Sequence, residues 1–458
     1  MAHGCSCLAN PTSGAAWIDD ACEDAVRLAR LQTDGTAWVA VCRPDACPEQ
    51  PDAWWRELAG LHRRLLHHGE TWLLTAGCAW SSQASGPGRT SWLAQERATL
   101  HAKTVVRSSA GGPALPLLIG AWTFTDQGAD PGAWGPGLPG ANLELPRRAW
   151  WRDADGRGWR IDARRVTADE DFGAVAADLG GPLSPTPLAN PVPWPGLSTR
   201  YTDIVEDAVG LITDGMARKI VLARAVDEPV TTDEATALHR LAGFPLATRY
   251  AWDLADGGLF CGASPEPLLV AEGHRLTTVA LAGTIARGDD EMDDLGRLAA
   301  LLADTKIRKE HNLVVEHLVN VLRPRVKPFP HPATPHRRAA GTMLHLETVL
   351  DAELHRPDHL ELLAALQPTP AVCGLPVLTT SHWITRHEGL DRGLYAGALG
   401  WFTPTACRAI VPLRGGILAR DRKTARLFAG AGVLETSDAA AELAETELKF
   451  QTMRGVLR

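Results

Sequence analysis

The chain has 458 residues, 45% of them hydrophobic and 22% charged, which is enough apolar material for one large core or two smaller ones. A formal net charge of -8, with no lysine/arginine block, excludes a nucleic-acid footprint and points to a small-molecule partner. Nine cysteines, at positions 5, 7, 22, 42, 47, 78, 261, 373 and 407, follow neither zinc-site spacing nor a compact disulfide framework. That usage fits a reducing cytoplasm, and Cys5 and Cys7 read as bystanders. No basic segment leads into an apolar run at the N-terminus, and no stretch reaches the roughly 18 apolar residues of a membrane helix, so a soluble protein is expected.

Thirteen of the 16 tryptophans lie before residue 195, which sets residues 1–190 apart in composition from residues 195–458. Between them runs GGPLSPTPLANPVPWPG, residues 180–196. It is too rich in proline for a helix or a central strand, and reads as a domain linker or as a strap over the surface. The pattern then predicts a helix over Tyr201–Met216 and a strand over Lys219–Val226, with Lys219, Val221, Ala223 and Ala225 on one side. Further strands are predicted at Arg249–Leu254, Leu259–Gly262, Leu268–Glu272 and Leu276–Leu281. Helices dominate from Asp290 to Leu322, where Pro324 stops the run. Strands return around Leu394–Phe402, Cys407–Leu413 and Ala425–Ala429, and a last helix starts from Ser437 as N-cap and runs to about Val456. Strands mixed with helices, without strict alternation, predict an α+β layered fold rather than a doubly wound parallel sheet.

Several residues in this stretch have two readings. Lys219 shares a strand face with Val221 and two alanines, where lost hydration favours the neutral amine of a general base; a strand-end lysine that snorkels to water is the alternative. Glu266 is held between Pro265 and Pro267 on a stiff turn, as a positioned acid or as an ordinary exposed one. Glu310 borders the apolar stripe of Ile307, Val314, Leu318 and Leu322 on its helix. In the last helix, Leu443, Thr446, Phe450, Met453 and Leu457 form the inward stripe. Glu445 and Lys449, four apart beside it, either reach one ligand or make a surface pair. LFAGAGVL reads as a glycine-bearing turn whose amides are able to hold a carboxylate. No phosphate-binding glycine fingerprint precedes a helix, so nucleotide cofactors are not indicated.

Taken in order, KIVLARAV, GASPEPLL, ALAGTIARG, KEHNLVVEHL, LHLETVL, LQPTPAVCGLP, RHEGLDRGLYAGALGWF, LFAGAGVL and AELAETELK resemble the chorismate-using enzymes over roughly residues 195–458. The resemblance implies an α/β sandwich with two antiparallel-rich sheets packed together, flanked by helices, and a cleft between them for chorismate and Mg²⁺. It implies Lys219 as the base that activates water for attack at C2 and Glu266 as the acid that protonates the departing C4 hydroxyl. It further implies Glu310 and Glu445 as magnesium ligands. Arg414, Tyr395, Lys449 and the amides of Gly430, Ala431 and Gly432 would grip the substrate carboxylates, and Gly283, Thr284 and His345 would line the ring.

Within the family, ammonia-using members carry glutamine where this chain has Lys219, so no glutaminase partner is expected. Aminodeoxychorismate synthases carry lysine where it has Ala282. The PTPAV run, HEGLDRGLYAG and the pair Gly400–Trp401 resemble the isochorismate synthases. The implied activity is therefore hydroxyl transfer in a monomer, feeding menaquinone or siderophore synthesis. A salicylate synthase and a non-catalytic chorismate-binding paralogue are the alternatives. Two positions depart from the isochorismate synthase pattern: Gln367 stands where histidine usually precedes PTPAV, and Ile307 where an acid usually follows the first lysine of its helix.

Overall fold

The computed structural model describes residues 16–458 apart from 198, 199, 245, 289, 341 and 342; the side chains of Thr284 and Ala340 are outside the description, as are Cys5 and Cys7. Its 19 described strands belong to one hydrogen-bonded network, with 11 described helices around it. The ladder between Thr36–Pro44 and Thr104–Ser108 is parallel, while the long ladders that build the rest are antiparallel. This is the antiparallel-rich mixed architecture that the resemblance implies. Continuity comes from long strands with several partners. Ala141–Arg152 pairs with Thr71–Ala84, Leu118–Trp122 and Gly158–Thr167, and a register shift between Cys78 and Trp80 bends the first of these ladders.

The two compositionally distinct parts share ladders. Arg63–His68 pairs with Thr248–Asp253, and Leu118–Trp122 pairs with Ala398–Phe402. The early tryptophans serve this junction. Trp134 stacks on Phe428 at 5.4 Å and meets Phe260 edge-on at 5.0 Å. Fully burying such a ring removes about 150–250 Å² from water, roughly 4–6 kcal/mol at about 25 cal/mol/Å² before entropy is counted.

Residues 182–196 form no regular element but run as a strap. Thr186 N donates to Gly60 O (3.0 Å) and Ala189 N to Ala255 O (2.8 Å), while Arg426 reaches Pro195 O (2.8 Å) and lies over Trp194. Proline keeps the segment extended, and two of its amides find partners, one on each part.

The helices expected between Asp290 and Leu322 are Glu291–Ala303 and Thr305–Leu322. They part at Asp304, whose carboxylate accepts from Ile307 N (3.0 Å) and so caps the second. The last helix, Ala439–Leu457, is capped by Asp438, which accepts from Ala441 N (2.9 Å); Ser437 instead accepts from Leu434 N. Most of LFAGAGVL is not a turn. The strand Thr424–Val433 carries on through it, paired residue by residue with Lys219–Pro229, because glycine in a ladder gives neighbouring groups room to approach.

Candidate active site

The paired strands Lys219–Pro229 and Thr424–Val433 form one wall of a cleft. Strand period two turns Val221, Ala223, Gly430 and Gly432 toward it. Ala431 does not line the cleft.

Glu266 enters from the turn between strands Leu259–Ser264 and Pro267–Glu272. Its amide donates to Ser264 Oγ (3.2 Å) and its carbonyl accepts from Val411 N (3.1 Å), which fixes the peptide and aims the carboxyl into the cleft. The residue is 4% exposed, so the ordinary exposed turn is ruled out. Thr369 Oγ1 lies 3.5 Å from Oε1. Burial pushes this carboxyl up to about 7, and the Lys219 charge and the Thr369 contact offset only part of that.

Lys219 does not snorkel; it is fully buried and is not among the residues that line the cleft. Its Nζ lies 3.0 Å from Glu310 Oε1, a contact without hydrogen-bond alignment, and among the described residues it has no hydrogen-bond partner. Glu310 lines the cleft from helix Thr305–Leu322. Gly432 makes this contact sterically possible, since a Cβ there would collide with Glu310 Oε1 and sit 3.2 Å from Lys219 Cε.

On the last helix Glu445 and Lys449 both line the cleft and pair at 2.6 Å, and Lys449 also donates to Gly430 O (2.6 Å). Burial works against ionisation of Glu445, but Lys449 overcomes it and holds the carboxyl below its usual range. Arg414 and Ala396 occupy the left-handed region, with φ of 50° and 60°, and both line the cleft; such backbone strain gathers where a side chain must be aimed. Arg414 reaches His345 Nε2 (3.3 Å) and Met343 Sδ (2.8 Å), and burial brings its guanidinium down to about 10. Burial and then Arg414 hold His345 well below its ordinary value, so the imidazole is neutral. Burial pushes Tyr395 up to about 12, which leaves a phenol as a donor; its ring stacks on Phe428 at 5.2 Å. Gly283 lines the cleft with φ of 80°, and a Cβ there would come within 2.5 Å of Ile307 Cγ2. Thr284 pairs with His345 in its ladder, and its side chain lies outside the description.

The donor set suits a hard divalent cation. Glu310 and Glu445 bring carboxylate oxygens to one cavity, and each lies beside a lysine Nζ. Among the described residues no group of three or more histidine, cysteine, aspartate or glutamate side chains converges. A cation here would complete its shell with water and substrate oxygens, which is how Mg²⁺ is usually held.

These features sit on a chain that matches the chorismate binding enzyme family over residues 66–458. The protein belongs to the chorismate-binding enzymes. It is 35% identical over 356 residues to the isochorismate synthase EntC of Escherichia coli, covering 76% of this chain and 83% of that one. It is 33% identical over 397 residues to the salicylate biosynthesis isochorismate synthase of Pseudomonas aeruginosa, covering 83% and 82%. The structure of MenF, the menaquinone-specific isochorismate synthase of Escherichia coli, superposes with a TM-score of 0.73 at 24% identity over 96% of this chain and 99% of that one, a likeness of fold. No described helix of this chorismate-binding enzyme is long and apolar enough to cross a membrane. Sequence reasoning missed two groups of its site: Thr369 beside Glu266, and Arg392, which lines the cleft. The signal for Arg392 was Glu388 four residues before it in EGLDR, a spacing indistinguishable from a surface pair.

Proposed function

We propose that this enzyme is an isochorismate synthase, converting chorismate to isochorismate with Mg²⁺ bound. The observation that carries the reading is Glu266, a carboxyl brought by burial to about 7 in the same cleft as Glu310, Glu445, Arg414 and Lys449. A proton donor at neutral pH therefore faces a pocket whose cations suit a dianion. Arg414 and Lys449 hold the substrate carboxylates, with the Tyr395 phenol donating beside them. Lys219, as the free amine, takes the proton from the water that attacks C2, and an Nζ with no hydrogen-bond partner among the described residues supports that role by leaving its lone pair open. Glu266 gives its proton to the C4 hydroxyl, which leaves as water. Glu310 and Glu445 would hold the Mg²⁺, whose charge neutralises and orients the ring carboxylate. Gly283 and His345 border the ring, and the neutral imidazole adds no charge there. Seven described cysteines are all free, which supports a reducing cytoplasm, and the chain acts without a glutaminase subunit, as a monomer.

The test is to incubate purified protein with chorismate and Mg²⁺ and separate the products by chromatography. Isochorismate is the expected product. Salicylate with pyruvate, or binding without turnover, would overturn the reading.

A further inference from the structure

The cleft wall contains a buried ion pair that none of the roles above uses. Glu388 and Arg392, each 3% exposed, follow the helix Val377–His387. The outer edge of the strand Lys219–Pro229 is paired only at its start, by Gly374–Leu375, with Val221 N donating to Cys373 O (2.9 Å). Beyond Cys373 the PTPAV segment leaves this edge, so Val221 O and Ala223 N need other partners. The ion pair supplies them. Arg392 Nη2 donates to Val221 O (2.8 Å), and Ala223 N donates to Glu388 Oε1 (2.6 Å). On its other side Arg392 Nη1 donates to Val372 O (2.8 Å). Two further hydrogen bonds, of 2.7 and 2.5 Å, close the fork onto Glu388, and the guanidinium carbon sits 4.2 Å over the Phe124 ring.

Side chains thus stand in for a missing strand where the ladder opens into the cleft. One edge of the gap is the strand that begins with Lys219. The other is the turn whose Thr369 reaches Glu266. We infer that Glu388 and Arg392 are a positioning pair, fixing the separation between the proton acceptor Lys219 and the proton donor Glu266. The inference rests on the roles proposed for those two residues. A buried ion pair gains little stability over apolar residues of similar volume, so stability alone is a weak reason for one here. Its forked geometry, with four of five N–H donors assigned to three separate chain segments, is what a spacer requires.

The experiment compares wild type with Arg392→Ala, Arg392→Lys and Glu388→Gln, each checked for folding by circular dichroism. In folded Arg392→Ala, kcat falls about 10- to 100-fold while KM for chorismate stays near the wild-type value, as expected when bound groups are misaligned rather than lost. Millimolar guanidinium restores kcat in that variant but not in Lys219→Ala, and methylammonium does not restore Arg392→Ala. Arg392→Lys stays slow because an ammonium cannot fork. If Arg392→Ala does not fold, Glu388→Gln, which keeps an acceptor for Ala223 N–H, is expected to give the same split between kcat and KM. An unchanged kcat in the folded variants, a loss confined to KM, or a lost kcat indifferent to guanidinium would overturn the inference. An inactive wild type removes the proposed function as well; an active wild type with unaffected variants removes the positioning pair alone.

Discussion

Glu144 and Glu266 are both buried carboxyl groups, 7% and 4% exposed, yet they titrate at opposite ends of the carboxylate range. Burial opposes ionisation of both. At Glu144, in the strand Ala141–Arg152, Arg64 and His62 (3.3 Å each) and Asn142 (2.9 Å) converge and overcome it, holding the carboxyl at about 2. At Glu266 burial outweighs the Lys219 charge and the Thr369 hydroxyl at 3.5 Å. The difference teaches that the junction between the two parts is built from satisfied charge, whereas the cleft keeps one acid short of partners. A group left short of partners keeps its proton for use.

The comparison breaks most visibly at Glu266. Glu266→Gln should lower kcat by on the order of 10²–10⁴ with chorismate binding largely kept, seen by steady-state kinetics beside calorimetry; a near-normal kcat would contradict the acid role. Lys219→Ala should abolish turnover in the same assay while binding survives. Next comes the satisfied partner: Arg64→Met strands Glu144 and should cost about 3–5 kcal/mol in denaturant unfolding, with kcat and KM of the folded fraction unchanged. Glu310→Gln should raise the Mg²⁺ concentration needed for half-maximal turnover by about tenfold or more, and an unchanged requirement would remove it as a ligand.

Smaller effects separate the two carboxyls by pH. Glu266 is protonated below about 7, so turnover should decline as pH rises through that value, read from a pH–rate profile. Its folded value lies above its ordinary 4.5, so its stabilising contribution is complete below 4.5 and lost as pH climbs to about 7; Glu266→Gln should therefore melt higher than wild type at pH 8. Glu144 has the opposite sign. Its contribution is present above 4.5 and lost as pH falls toward 2.

Much of this contrast was legible in the sequence, in pieces. The face shared by Lys219, Val221 and Ala223 follows from strand period alone, and Val221 and Ala223 do line the cleft. That Lys219 lies beside Glu310 was not legible, because it depends on the missing side chain of Gly432 on a strand more than 200 residues away. The proline-flanked turn announced a stiff Glu266 but not a buried one, since its cover comes from Thr369 and Val411. Gln367, a departure from the family pattern, proves to be an anchor. It accepts from Arg89 (3.0 Å) and donates to Thr123 O (2.8 Å), so it ties PTPAV to the early part of the chain and points away from the chemistry. Local pattern reports faces and turns. It does not report which distant segment will close over them.

The account turns on water, deprotonated within the cleft, entering at C2 while the C4 hydroxyl leaves with a proton from Glu266. Turnover of chorismate in water enriched with heavy oxygen, followed by mass spectrometry of the isochorismate formed, reads this directly. One heavy oxygen at C2 is the predicted result. Isochorismate that retains only the original ring oxygen would mean that the hydroxyl migrates without solvent, and would contradict the roles given to Lys219 and Glu266.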